Sequence, residues 1–214
     1  MKISEIYSKF GIPPNLQEHM FRVFGVVCFL EKSWRGENLD WVQIKKLALL
    51  HDLGNVVKFD LDKHPEFLGK VEQANVGFWK EQQKKVIDKY GKDDHEVTNK
   101  MLEELGIDKE MIKIILSKSF GESLATRDSN NWPLKILYYA DLRTLPLGIG
   151  TLEARMQDVR NRMPKYTSRP DFEDLVHACK DLELQLQSNL SKSVFEINDK
   201  VINKFISKAE VFDL

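Results

Sequence analysis

Residues 40–55 read DWVQIKKLALLHDLGN, and their apolar period is that of a helix. Asp40 is suited to cap it, because a side-chain carboxylate can take up the unpaired N–H groups of a first turn. Trp41, Ile44, Ala48 and His51 then share one face, and Gly54 supplies the stop. The run Leu47-Ala48-Leu49-Leu50 marks a buried helix that delivers His51 and Asp52 to its end. A carboxylate there cannot stand alone, since desolvating it is costly. Its partner is a metal ion or a nearby Lys or Arg.

Outward from this stretch the helical period continues. Upstream, residues 16–32 place Met20, Val23, Phe24, Val27 and Leu30 at core-facing spacing. Downstream, residues 76–90 read as a helix stopped by Gly91. Asp93 or Asp94 caps residues 95–105, and Asp108 caps residues 109–119. Residues 120–130 (FGESLATRDSN) read as a loop. Asn131 and Pro133 open a helix that runs to Asp141, and Pro146, Gly148 and Gly150 break the chain after it. Thr151 caps a short helix to Arg162, Pro170 begins a long one, and a last helix covers residues 199–209. Pro65 is placed in the first turn of another helical segment. With strand signals scarce, the expected class is all-α, with a core over residues 1–145 and a helical C-terminal extension over 146–214 packed on it.

The 214 residues carry 32 Lys+Arg against 33 Asp+Glu. That balance argues against a general nucleic-acid binder and against a polybasic membrane anchor. The longest apolar run, residues 23–30, is too short to span a bilayer. Cys28 and Cys179 each sit in an apolar-periodic stretch and read as buried free thiols of a reducing compartment. A cytoplasmic protein is expected, with a homodimer left open.

Four side chains on helices that should converge offer two imidazoles and two carboxylates: His19, His51, Asp52 and Asp141. Asp141 closes an otherwise apolar helix, LKILYYAD, where a carboxylate is again costly without a partner. Mixed nitrogen and oxygen donors suit a divalent ion such as Mn²⁺, Fe²⁺, Co²⁺, Ni²⁺ or Zn²⁺. His177 lies on the amphipathic run FEDLVHACKDLELQL and reads as structural.

This pattern, His19…His51-Asp52…Asp141, resembles the H…HD…D signature of the HD-domain superfamily of metal-dependent phosphohydrolases. The strings that carry the likeness are EHMFRV, LALLHDLGN and YYADLRT, and the likeness spans about residues 16–145. It implies a helical bundle around one divalent ion (Mn, Fe, Co, Ni, Zn or Mg) that activates water against a nucleotide or other small phosphate ester. Asp52 would both ligate and orient the water, and His95 or His64 would serve as general acid. Lys58, Lys118, Arg143 and Arg22 are the cations expected to hold the phosphate. Two departures stand out. Many relatives have Lys three residues after the paired Asp, where this chain has Asn55. Dinuclear members have a second extra histidine near residues 114–119, where this chain has none. The alternative is therefore a catalytically reduced module that binds a nucleotide or protein partner without turnover.

The near-neutral balance is an average over unlike parts. Between Arg143 and Arg169 six basic residues face two acidic ones, whereas residues 170–214 carry nine acidic and five basic. Either the two segments pair with each other, or Arg143 and its neighbours frame an anion near Asp141.

Overall fold

The computed structural model describes residues 1–62, 68–146 and 148–214. His64 and Pro65, named above, lie outside the described residues. The fold is all-α. In chain order the helices are α1 (Ile3–Lys9), α2 (Pro14–Ser33), α3 (Trp41–Leu50), α4 (Lys70–Gln73), α5 (Val76–Tyr90), α6 (Asp94–Glu104) and α7 (Lys109–Ser117). They continue with α8 (Ser123–Asp128), α9 (Trp132–Leu142), α10 (Leu152–Arg162), α11 (Pro164–Thr167), α12 (Phe172–Ser188) and α13 (Asp199–Glu210). A 3₁₀ turn, Leu53–Lys58, follows α3. Strands β1 (Thr144–Leu145) and β2 (Gly148–Ile149) pair antiparallel. Among the described residues no helix is long and apolar enough to cross a membrane.

Helix α2 is the axis. Its residues 23–30 are all buried, so it has no solvent face there and must be covered on every side. Helices α3 and α9 pack along it, and α13 covers it from the C-terminal part of the chain. Gly25 allows that close approach, since a Cβ there would lie 2.2 Å from Ile202 Cγ2. One continuous hydrophobic core contains residues from both sides of residue 145, from Ile3 to Ala209.

Three tryptophans fix one end of this assembly. Trp34, just past α2, meets Trp41 at the start of α3 (5.7 Å between ring centroids) and Trp132 at the start of α9 (5.1 Å). At about 1.5 Å per residue, the opposite ends of α3 and α9 lie roughly 15 Å away. Those far ends carry His51 and Asp141, and the same end of α2 carries His19. Anchoring the helices at one end sets their register at the other.

The chain departs from sequence expectation in residues 120–130. That segment is not a loop: Phe120–Glu122 forms a 3₁₀ turn, and α8 follows directly. The Ser119 side chain caps the turn by accepting from Gly121 N–H at 3.3 Å. A buried relay of Ser123 Oγ, Tyr138 Oη and Cys179 Sγ, with contacts of 2.6–3.5 Å, ties α8 to α9 and α12. Both cysteines are buried free thiols, as expected.

The turn after α3 is held by α6. Gly54 N–H donates to Thr98 Oγ1 at 3.0 Å, and that hydroxyl donates to Asp94 O at 2.7 Å. A Cβ on Gly54 would lie 2.2 Å from Asp94 O and 2.7 Å from Thr98 N, and backbone atoms cannot step aside. Gly54→Ala is therefore expected to cost about 1–3 kcal/mol, by overpacking. In thermal melts that is a fall of roughly 2–10 °C for a chain of this size. A variant melting with wild type would contradict the docking of α6 on this turn.

Candidate metal centre

Four elements deliver the candidate ligands. His19 comes from the second turn of α2, His51 caps the C-terminus of α3, Asp52 opens the 3₁₀ turn, and Asp141 lies in the last turn of α9. One ligand atom from each lies within 4.8 Å of the other three. His19 Nε2 is 3.1 Å from Asp141 Oδ1, 3.5 Å from Asp52 Oδ2 and 3.3 Å from His51 Nε2. His51 Nε2 is 3.5 Å from Asp52 Oδ2 and 3.6 Å from Asp141 Oδ1.

These spacings fit a divalent ion. Donors held at about 2.1 Å from a metal are roughly 3.0–3.4 Å apart when adjacent, for octahedral or tetrahedral geometry. The imidazole tautomer fits as well. His51 Nδ1 lies 2.9 Å from Ala48 O. A carbonyl only accepts, so Nδ1 carries the proton, and in the neutral ring Nε2 faces the cluster with a lone pair. The buried cluster of His19, His51, Asp52 and Asp141 can therefore hold a metal ion.

Lys118, at the end of α7, completes the cluster. Its Nζ lies 2.7 Å from Asp141 Oδ2 and 3.3 Å from Asp52 Oδ1. These are the outer oxygens, whereas Asp52 Oδ2 and Asp141 Oδ1 face the imidazoles. Each carboxylate thus offers one oxygen to the ligand cluster and the other to the ammonium. Burial opposes ionisation of Asp52, but His51 and Lys118 hold its carboxyl well below the usual range. Burial likewise opposes ionisation of Asp141, and Lys118 and His19 hold it down. For His51, burial disfavours the charged form, yet Asp52 outweighs it and raises the imidazole to about 9. Metal uptake would displace that proton.

The cluster forms the floor of a cleft of about 220 Å³. Asn55, Lys58, His95, Lys118, Phe120, Arg155 and Tyr166 are among its lining residues. Lys58 is half-exposed and paired with Asp94 (2.5 Å), and His95 stands at the rim with 53% of its side chain exposed.

Two of the expected phosphate contacts are elsewhere. Arg143 is buried, 2% exposed, and its guanidinium is already bonded. It donates to Gly150 O (2.6 Å), Tyr139 Oη (2.7 Å), Val194 O (3.0 Å) and Ile197 O (3.1 Å). It is a clamp between α9 and the C-terminal part of the chain. Arg22 pairs with Glu18 at 2.9 Å and lines a separate groove between α2 and α13. His177 is exposed on α12 and outside the cleft.

Basic residues of the first segment do meet acidic residues of the second: Arg160 meets Glu173 at 3.2 Å and Arg169 meets Asp171 at 2.7 Å. Of the basic residues between Arg143 and Arg169, Arg155 lines the cleft. A signal for it was present, because Leu152, Met156 and Val159 define the buried face of α10 and Arg155 lies among them.

No protein-family model, curated protein or solved structure gives a match to the chain.

Proposed function

We propose that the chain is a metal-dependent phosphohydrolase of the HD type, acting on a nucleotide or other small phosphate ester. The observation that carries this reading is the convergence of two imidazole nitrogens and two carboxylate oxygens at the floor of an open cleft. A divalent ion held by His19, His51, Asp52 and Asp141 would acidify water and polarise a phosphoryl oxygen.

The protein's own groups prepare that chemistry. The bond from His51 Nδ1 to Ala48 O fixes the ring and its tautomer. Lys118 holds the outer oxygens of both carboxylates, which would otherwise repel each other in a buried setting. With both imidazoles neutral, as metal ligands must be, two carboxylates and one ammonium sum to one negative charge. A divalent ion reverses that sign and makes the floor attractive to an anion. Asp52, kept ionised, can accept a hydrogen bond from the attacking water and orient it. His95, at the rim, would pass a proton to the leaving group.

A second reading, binding without turnover, is favoured by one observation. Both lysines of the cleft already hold carboxylates, Lys58 with Asp94 and Lys118 with Asp52 and Asp141. A panel of phosphomonoesters and nucleotides with added Mn²⁺ or Co²⁺ separates the two. Metal-dependent phosphate release is expected, with a loss of about 100-fold or more in Asp52→Asn. No turnover with any metal, alongside tight nucleotide binding, would establish the second reading instead.

A further inference from the structure

Among the arginines of the basic segment, Arg155 differs in how it is partnered. Arg160 meets Glu173, Arg169 meets Asp171 at 2.7 Å, and Arg162 takes both oxygens of Asp158 at 2.5 and 2.6 Å. Arg143 is saturated by carbonyls and a hydroxyl. Arg155 reaches only Asp158, through one long contact of 3.3 Å from Nη1 to a carboxylate that Arg162 already holds. Its Nε is buried and has no hydrogen-bond partner among the described residues. A guanidinium carries five N–H donors, so one long contact leaves Arg155 with donor capacity for an anion in the cleft it lines. Arg155 lines the same cleft as His19, His51, Asp52 and Asp141.

The rest of that face is apolar. Val159 and Met163 follow Arg155 at intervals of four residues on α10 and just past it. They line the cleft with Leu116, Phe120 and Tyr166. The Phe120 and Tyr166 rings meet edge to face, 5.1 Å between centroids. An apolar or aromatic group packs against these side chains without leaving a polar atom of its own unpaired.

We propose that Arg155 binds the anionic group of the substrate and that this wall seats its organic half, so that the ester is a phosphomonoester of a compact apolar or aromatic alcohol. This rests on the phosphohydrolase reading and narrows it.

The test uses the metal-loaded full chain and three ligands that no hydrolase consumes: inorganic phosphate, methylphosphonate and phenylphosphonate, titrated calorimetrically. Wild type is expected to bind phosphate, and Arg155→Gln to weaken it about 30-fold or more with metal content unchanged. Asp158→Asn, which removes the carboxylate competing for Arg155, should bind phosphate at least as tightly as wild type. Phenylphosphonate should bind wild type about tenfold tighter than methylphosphonate, and Tyr166→Ala should erase most of that difference. Absence of phosphate binding by wild type, wild-type affinity in Arg155→Gln, or equal affinity for the two phosphonates would each overturn the proposal. None of these readouts needs turnover. Arg155-dependent binding without hydrolysis of any ester would count against the phosphohydrolase reading alone, and hydrolysis with Arg155-independent binding would count against Arg155 alone.

Discussion

His51→Ala and Asp141→Ala are each expected to lose more than about 100-fold in divalent-metal affinity, since partners that merely orient ligands are typically worth 10–100-fold. The geometry gives the reason: His19 Nε2 and His51 Nε2 both face Asp141 Oδ1, at 3.1 and 3.6 Å, and each substitution removes one of the four converging donors outright. Asp141→Ala also removes the closer partner of the buried Lys118 ammonium, at 2.7 Å, and should lower stability as well. Asp141→Asn keeps the shape of the side chain and separates the two effects. Its metal loss should approach that of alanine with a smaller drop in melting temperature. Metal titration of each variant against wild type reads the result, and wild-type affinity in both alanine variants would remove these residues from the site.

The second large effect is expected at Arg143. Four acceptors surround its buried guanidinium, from Gly150, Tyr139, Val194 and Ile197. Truncation to alanine leaves them desolvated and unpaired, and breaking such a buried charged network typically costs about 3–5 kcal/mol. That is a large part of the roughly 5–15 kcal/mol that holds a domain folded. Arg143→Lys should not rescue it, because one ammonium cannot reproduce a planar fork directed at separate carbonyls. Denaturant unfolding measures the loss. In the folded fraction, phosphate affinity should stay at the wild-type level, which separates a clamp from a residue of the cleft. Near-wild-type stability with weakened phosphate binding would return Arg143 to the role first expected of it.

Much of this was legible in the sequence, because the signals are local. Asp40, Asp93, Asp108, Asn131 and Thr151 each cap the helix they precede, accepting from a backbone N–H two or three residues on. The apolar periods of α2, α3 and α9 placed His19, His51, Asp52 and Asp141 at element positions that the structure brings together. Helix α8 was not legible. Six residues are too few for a helix to stand on propensity alone, and this one is held by its packing on α12 and by the Ser123–Tyr138–Cys179 relay, which no local pattern encodes.

The misplacement of Arg143 has a simple geometric cause. Two residues along a helix turn the side chain by about 200°, so a residue two past the cleft-facing Asp141 points the other way. Arg155, one of the six basic residues between Arg143 and Arg169, lines the cleft from α10. Lys118, 66 residues from Asp52, does reach the cluster. Its ammonium occupies the outer oxygens of both carboxylates, which a second ion would need.

The most direct test of this account is the metal-to-protein ratio of wild type, by elemental analysis after loading with Mn²⁺, Co²⁺ or Zn²⁺ and removal of free ion. One ion per chain is expected. Zero would contradict the centre itself, and two would contradict the place given to Lys118.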